Sequence, residues 1–209
     1  MSKVEIRILN ENWQVDLQEA AMNTINKKWD EGKEMTEDLF RKYIISEHSP
    51  IRTVVLRIKM NNIPYPNSVH FARHVHSIPF VSTNRPDRTG KKRSAEDLCT
   101  HIFDINIQGL IDMARKRLCE GKVDKTTLDF MIEIKKELTG MGGFYKILGE
   151  MLVPNCVYRF SCPEFKGCNL LKRLFDDSDN IGELSFRYDK YNMYLSKNFF
   201  RNFDKSMIE

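Results

Sequence analysis

Residues 51–60 read IRTVVLRIKM, and the alternation of apolar and polar side chains in this stretch decides the fold class. Four apolar side chains would share one face of a β-strand: Val54, Leu56, Ile58 and Met60. Arg57 and Lys59 would lie on the opposite face, together with Val55. A strand with one apolar and one charged face is typical of an antiparallel sheet that buries only one side. Residues 4–9 (VEIRIL) alternate in the same way and predict a second, shorter strand.

Apolar residues recur at three- and four-residue intervals in the segments around these strands, which predicts helices. The clearest pattern covers residues 104–118. The other predicted helices cover residues 17–28, 36–45, 67–76, 126–138 and 144–152. Thr36 and Asp38 supply oxygen acceptors for the free amides at the start of the second of these. We therefore expect an α+β fold with helices packed around a mainly antiparallel sheet.

The length and composition predict one globular domain over residues 1–209. The chain has 41% hydrophobic and 30% charged residues, which is ordinary for a protein with a real core. Its formal net charge of +4 suits a binder of small anions better than a protein that coats duplex nucleic acid. No apolar run is long enough to span a membrane, and the first residues lack the core of a signal peptide. We expect a cytoplasmic protein, in the host cytoplasm if the chain is viral.

Residues 72–88, ARHVHSIPFVSTNRPDR, gather arginine, histidine and hydroxyl side chains after a strand-like run. Arginine presents a planar fork that meets two phosphate oxygens, and hydroxyl groups can satisfy the remaining acceptors. Pro79 and Pro86 restrict the loop, so less entropy is lost when it captures a ligand. The stretch predicts a binding site for phosphate groups, with a plain solvated loop as the alternative.

EHSPIR at residues 47–52 leads into a strand, and Pro64 and then FARH at residues 71–74 follow. This order of motifs resembles the flavin-dependent thymidylate synthases, the ThyX family. In that family a histidine- and proline-containing segment leads into a strand, a helix that ends in Arg-His-Arg, and a serine- and arginine-bearing loop. Asn106 and Arg117 also have the family's eleven-residue spacing. That spacing places both on one side of a helix, about 16 Å apart along its axis.

The resemblance implies a ThyX-like fold and a function in nucleotide synthesis. Family members are homotetramers that bind FAD and deoxyuridine monophosphate (dUMP) where subunits meet. They convert dUMP to dTMP with a methylene group from methylenetetrahydrofolate and a hydride that passes from NADPH through the flavin. By position, the resemblance makes Arg73, His74 and Asn106 candidate cofactor-binding residues. The candidate substrate-binding residues are His70, Ser82, Arg85, Arg88 and Arg117. Arg117 is also the candidate catalytic residue, because the family's arginine binds and polarises the uracil ring.

The match covers roughly residues 47–117 and looks like a divergent, phage-type branch of the family. Val75 stands where the family has the last arginine of Arg-His-Arg, and His70 stands where it has a glutamine. Ser82 comes one residue early, the loop glutamate is absent, and the segment before the last matching helix is short. These departures leave two alternatives. One is a flavin- or nucleotide-binding protein with lost or altered catalysis, and the other is a related transferase that modifies a different pyrimidine nucleotide.

Other enzyme classes are disfavoured by the motifs. A Rossmann dehydrogenase would carry GxGxxG after a strand, and a P-loop enzyme would carry GxxxxGK[ST]; neither occurs here. A thymidylate synthase with a cysteine nucleophile would need a histidine beside Cys156, and none flanks it.

The cysteines form a separate pattern. Cys156, Cys162 and Cys168 are spaced C-x5-C-x5-C within segment 150–170, and Cys119 lies upstream. Four thiolates can hold zinc or an iron–sulfur cluster. The spacing lacks the compact cysteine pair of zinc ribbons, so the alternative is a set of reduced, half-buried thiols.

The C-terminal segment 183–209 carries aromatic side chains among lysines and arginines. Core packing is the favoured role for these rings, and base stacking on nucleic acid is the alternative. The aromatic spacing near Phe186 and Tyr188 suggests a hairpin.

Overall fold

A four-stranded antiparallel sheet forms the centre of the computed structural model, which describes residues 3–30, 32–94, 96–176 and 179–200. The strands are β1 (Val4–Ile8), β2 (Val55–Pro64), β3 (Ser77–Val81) and β4 (Leu98–Asn106). Their order across the sheet is β1-β2-β4-β3, and every neighbouring pair is antiparallel. The predicted α+β class and antiparallel sheet are therefore confirmed.

Helices make up most of the rest of the described chain. They are α1 (Trp13–Thr24), α2 (Glu37–Ile45), α3 (Tyr65–Ala72), α4 (Pro86–Thr89), α5 (Ile107–Arg117), α6 (Lys125–Gly140), α7 (Gly143–Met151), α8 (Asn155–Arg159), α9 (Leu170–Leu174) and α10 (Leu184–Leu195). A 3-10 turn covers Ser49–Thr53, and a π-helical turn, Ser196–Phe200, follows α10. Within the described ranges, no helix is both long enough and apolar enough to cross a membrane.

The alternation in β2 follows the predicted pattern. Leu56, Ile58 and Met60 are fully buried. On the other face, Arg57 pairs with Asp104 of β4 through two hydrogen bonds of 2.7 Å. The strand begins later than predicted, because residues 49–53 form the 3-10 turn with a proline in its first positions.

The boundaries of two predicted helices are wrong for a common reason. Residues 104–106 complete β4 instead of starting α5, and the helix predicted over 67–76 ends at Ala72. Strand β4 buries alternate residues, and its partner β3 begins at Ser77. The sequence pattern did not reveal β3, because it is an edge strand with little burial and so shows no apolar alternation.

The hairpin predicted near Phe186 and Tyr188 is also wrong, because both residues lie in α10. Tyr188, Tyr191 and Leu195 recur at three- and four-residue intervals and bury one side of that helix. This burial agrees with core packing as the role of these rings. Phe203, in the same predicted segment, lies outside the described residues.

The remaining predicted helices agree with the structure to within a few residues, except that the first starts at Trp13 and ends at Thr24. Thr36 caps α2 as predicted, since its hydroxyl accepts from the Leu39 amide at 3.2 Å. One contiguous apolar core extends from Val4 of β1 to Leu195 of α10. Helix α6 packs against α3, α5, α7 and β1, which fixes the two helix ends that form the candidate site.

Candidate functional site

The end of α3 and the end of α5 meet at a direct side-chain contact. Arg73 and His74 follow the last residue of α3, and Arg117 is the last residue of α5. The Nε of Arg117 donates a hydrogen bond to the Nε2 of His74 at 3.0 Å. Two segments that the sequence analysis singled out separately are therefore joined in the fold.

His74 acts as a neutral acceptor in this contact. Burial, and then the charges of Arg117 and Lys116, lower the pKa of His74 to about 4. At neutral pH the imidazole is uncharged, and its Nε2 carries the lone pair that accepts from Arg117. The ring proton must then sit on Nδ1. The bond fixes the plane of the Arg117 guanidinium without neutralising its charge.

Arg117 retains hydrogen-bond donors for a ligand. Burial lowers the pKa of Arg117, and the neighbouring Arg73 lowers it further, while Asp124 raises it. Across residues 3–30, 32–94, 96–176 and 179–200, no carboxylate forms an ion pair with Arg117, and only its Nε has a hydrogen-bond partner. A half-buried guanidinium with free terminal donors is suited to bind carbonyl or phosphate oxygens.

Two adjoining cavities lie at this contact. The larger has a volume of about 510 Å³ and is lined by Arg117 and His70, by the turn after α5, and by segment 154–170. The smaller, about 330 Å³, is lined by His74 and Val75. Arg115, Lys116 and Asn155 line both. Small-molecule sites commonly measure about 300–1,000 Å³, so each cavity has a suitable size.

His70 is held at the edge of the larger cavity by the start of α6. Its Nε2 lies 3.7 Å from Asp124, the residue that caps α6 by accepting from the Thr127 amide. Asn67, one turn earlier in α3, donates to the same carboxylate at 2.6 Å. His70 and Arg117 therefore line the same cavity, and the substrate-binding role of His70 stays a prediction.

An ion pair between Arg115 and Glu47, which no sequence motif indicated, anchors α5. Arg115 pairs with Glu47 and lies over the ring of Tyr158, 3.7 Å from its centroid. Gln108 donates to the same carboxylate at 2.7 Å. Burial alone would raise the pKa of Glu47, but the hydrogen bonds from Arg115 and Gln108 outweigh it and lower the pKa. No local signal could reveal a contact between residues this far apart in the chain.

The loop candidates are not brought to either cavity within one chain. Ser82 continues the β3–β4 pairing, since it exchanges hydrogen bonds of 2.9 and 3.0 Å with Thr100. Arg85 pairs with Asp87 at 2.8 Å, and Arg88 lies exposed in α4. The roles of Ser82, Arg85 and Arg88 in binding phosphate stay predictions that need a second subunit.

Asn106 lies at the opposite end of α5 from Arg117. Its side-chain oxygen accepts from the Gly109 amide at 2.8 Å and so caps the helix. This hydrogen bond occupies the side-chain oxygen of Asn106 that a cofactor would otherwise contact. Asn106 also lines neither cavity. A cofactor role for Asn106 therefore stays a prediction as well.

The four candidate metal-ligating cysteines all line the larger cavity: Cys119, Cys156, Cys162 and Cys168. Cys99 is buried in β4, away from them. In the described part of the chain, no three histidine, cysteine or acidic side chains are arranged to hold a single metal ion. Burial, and then the neighbouring cysteines, raise the pKa of Cys156 to about 12, so that thiol is protonated at neutral pH.

Gly121 lets the turn after α5 approach the cysteine loop. A Cβ atom at this position would lie 2.9 Å from the Cβ of Cys168 and 3.4 Å from its amide nitrogen. We expect Gly121→Ala to lower the free energy of unfolding by about 2 kcal/mol, because the loop must shift. Gly140→Ala is the matched control, since nothing lies within 4 Å of its Cβ position. Equal effects of the two variants in urea unfolding would contradict this packing.

The protonation state of His74 predicts a pH dependence of stability. The pKa of His74 is about 4 in the folded chain and has the ordinary value of 6.5 in the unfolded chain. As the pH falls, the unfolded chain therefore takes up a proton on His74 at a higher pH than the folded chain does. The free energy of unfolding is therefore highest above about pH 7, where His74 is neutral in both states. It falls as the pH is lowered, by about 2 kcal/mol at pH 5. We expect urea unfolding of His74→Gln to show a pH dependence reduced by that amount. A pH dependence in His74→Gln equal to that of the wild type would contradict a neutral, half-buried His74 in the folded chain.

No protein-family model matches this chain, and no curated protein matches it in sequence.

Proposed function

We propose that this protein is a ThyX-like enzyme that binds FAD and methylates dUMP to dTMP. The observation that carries the proposal is the 3.0 Å contact between Arg117 and His74 beside the two cavities. The resemblance and the fold each point to His74 and Arg117. The resemblance selects FARH and the Asn106–Arg117 spacing from sequence, and the fold brings His74 and Arg117 into contact.

Arg117 would bind the uracil ring and stabilise the charge that develops on it. Its terminal N–H groups are free to donate to a uracil carbonyl oxygen, and burial strengthens that interaction. His74 holds the guanidinium in one orientation, and Arg73 adds a second positive charge nearby. The flavin, when bound, supplies the redox chemistry of the methyl transfer.

The residues fit an anionic cofactor such as FAD, whose pyrophosphate needs cationic donors. Arg73, the candidate cofactor residue, lies close enough to Arg117 for its charge to lower the pKa of Arg117, and this second cation supports the fit. Methylenetetrahydrofolate and NADPH enter the proposal through the resemblance alone.

Self-association, as a homotetramer in the family's manner, is part of the proposal. Strand β3 lies at an edge of the sheet and exposes Ile78 and Phe80, and Val75 just before it is 93% exposed. An unpaired edge with exposed apolar side chains favours contact with another chain. Such contact could carry Arg85 or Arg88 of one subunit towards the cavities of another.

A binding protein without thymidylate synthase activity is the second candidate. Val75 supports it, because this exposed apolar side chain stands where the family has an arginine. A cation lost at that position would weaken the hold on phosphate or flavin.

Product formation tests the proposed enzyme. The purified full-length chain is incubated with FAD, dUMP, methylenetetrahydrofolate and NADPH, and dTMP is measured by mass spectrometry together with tritium release from C5-labelled dUMP. We expect both signals, and both should survive Arg41→Met, which changes an arginine on α2 that lines neither cavity. Bound flavin without tritium release would select the binding protein, and a different modified nucleotide would select the related transferase.

A further inference from the structure

Four cysteines from three parts of the chain surround the larger cavity. Cys119 follows α5, and Cys156 lies in α8. Cys162 and Cys168 lie on the loop between α8 and α9. The fold therefore collects all the cysteines of the described chain around one space, with the exception of Cys99 in β4.

The backbone around these thiols has the features of a constructed site. Both ends of the cysteine loop adopt left-handed conformations, with φ of 52° at Phe160 and 59° at Asn169. A bulky residue such as phenylalanine rarely adopts this conformation, and such strain is typical of functional sites. Gly121 allows Cys168 to approach the turn that carries Cys119.

The arrangement suits a cluster better than a single ion. Four ligands on one ion must converge on one point, and no three candidate ligands among the described residues do so. In an iron–sulfur cluster the thiolates are divided among different irons, so the sulfur atoms lie farther apart. The four cysteines line a cavity of about 510 Å³, which leaves room for such a group. The C-x5-C-x5-C spacing likewise lacks the short pair typical of structural zinc.

The charge of the cavity wall is complementary to a cluster. A cluster held by four thiolates is anionic, and five lysine and arginine residues line the same cavity, among them Lys116, Arg117 and Lys166. In the part of the chain that the structure describes, none of these three forms an ion pair. The two acidic residues of the wall are already occupied, Glu120 by Arg173 and Glu164 by Lys122.

We propose that Cys119, Cys156, Cys162 and Cys168 ligate an iron–sulfur cluster in the larger cavity. Ligation replaces four S–H bonds with four Fe–S bonds and releases four protons, so assembly is favoured by rising pH. The site adjoins Arg117 but does not rest on the proposed function, because its ligands belong to a different set of residues. A cluster there would place an electron carrier in the wall of the nucleotide cavity.

Chemical analysis of the full-length protein tests this assignment. The chain is purified without oxygen, reconstituted with a mixture of ferric and ferrous iron and with sulfide, and desalted. Protein-bound iron and acid-labile sulfide are then measured, and electron paramagnetic resonance spectra are recorded before and after reduction by dithionite. We expect iron and sulfide in equal amounts and a spectrum that changes on reduction. Neither the sulfide nor the iron content is affected by bound flavin.

Single substitutions separate ligation from adventitious iron. Cys162 is exposed, so Cys162→Ser should keep the fold, checked by circular dichroism, and lose iron and sulfide to the background. Cys99→Ser is the matched control and should keep both. The assignment is overturned if the wild type holds no more iron and sulfide than a variant with all four cysteines changed to serine. It is equally overturned if the native protein holds stoichiometric zinc without sulfide.

Discussion

Arg117→Met is expected to lower turnover of dUMP at least about 100-fold, the usual loss when a preorganised donor to developing charge is removed. Methionine keeps much of the side-chain volume but removes every N–H group. Because the interaction strengthens as charge develops on the ring, we expect the loss chiefly in kcat. Initial rates of dTMP formation at several dUMP concentrations measure it.

The fold should survive this change. Arg117 is a half-buried cation without a carboxylate partner in the described ranges, so an apolar replacement removes a desolvation cost. We expect an unchanged or higher melting temperature for Arg117→Met. Arg41→Met is the control for loss of an arginine elsewhere, and its turnover should equal that of the wild type. Equal turnover in Arg117→Met and the wild type would show that Arg117 has no part in the reaction.

Glu47→Gln is expected to lower the free energy of unfolding by about 3 kcal/mol. The substitution leaves Arg115 largely buried and without its main counter-charge. The loss should lie near the low end of the range for a broken buried pair, because Asp112 remains 3.4 Å from Arg115. Glutamine can still accept from Gln108, so the effect reports mainly the lost charge. Urea unfolding at neutral pH measures it.

Two further variants isolate the ion pair as the cause. The double variant Glu47→Gln with Arg115→Met should recover most of the lost stability, since no unpaired buried charge remains. Asp87→Asn breaks a pair with Arg85, whose side chain is 55% exposed and stays solvated when unpaired. That change should cost less than about 1 kcal/mol. If Asp87→Asn and Glu47→Gln cost the same, burial of the pair is not the reason.

The parts of the fold that the sequence predicted correctly are those with strong local periodicity. The alternation in residues 54–60 and the helical patterns of α6 and α7 each reflect burial of one face. Strand β3 could not be predicted in this way, because it lies at the sheet edge and is mostly exposed. The boundary between β4 and α5 was missed because Ile107 continues the alternation of β4 and also fits the helical spacing of α5.

The same contrast applies to the candidate site: residues in local motifs could be predicted, and contacts between distant parts of the chain could not. His70, His74 and Arg117 were selected by motif and spacing. In the structure His74 accepts a hydrogen bond from Arg117, and His70 lines the same cavity as Arg117. The pairing of Glu47 with Arg115 depends on how α5 docks against the chain before β2, which no local pattern encodes. Ser82, Arg85 and Arg88 lie outside both cavities of one chain, so their roles depend on assembly.

Calorimetric titration of dUMP into the FAD-saturated protein is the most direct measurement of whether the Arg117–His74 contact forms a pyrimidine nucleotide site. We expect saturable binding to the wild type, and binding at least about tenfold weaker to Arg117→Met, since a charge-assisted hydrogen bond is lost. Arg41→Met should bind as the wild type does. No saturable heat with the wild type, or equal affinity in Arg117→Met, would contradict the assignment.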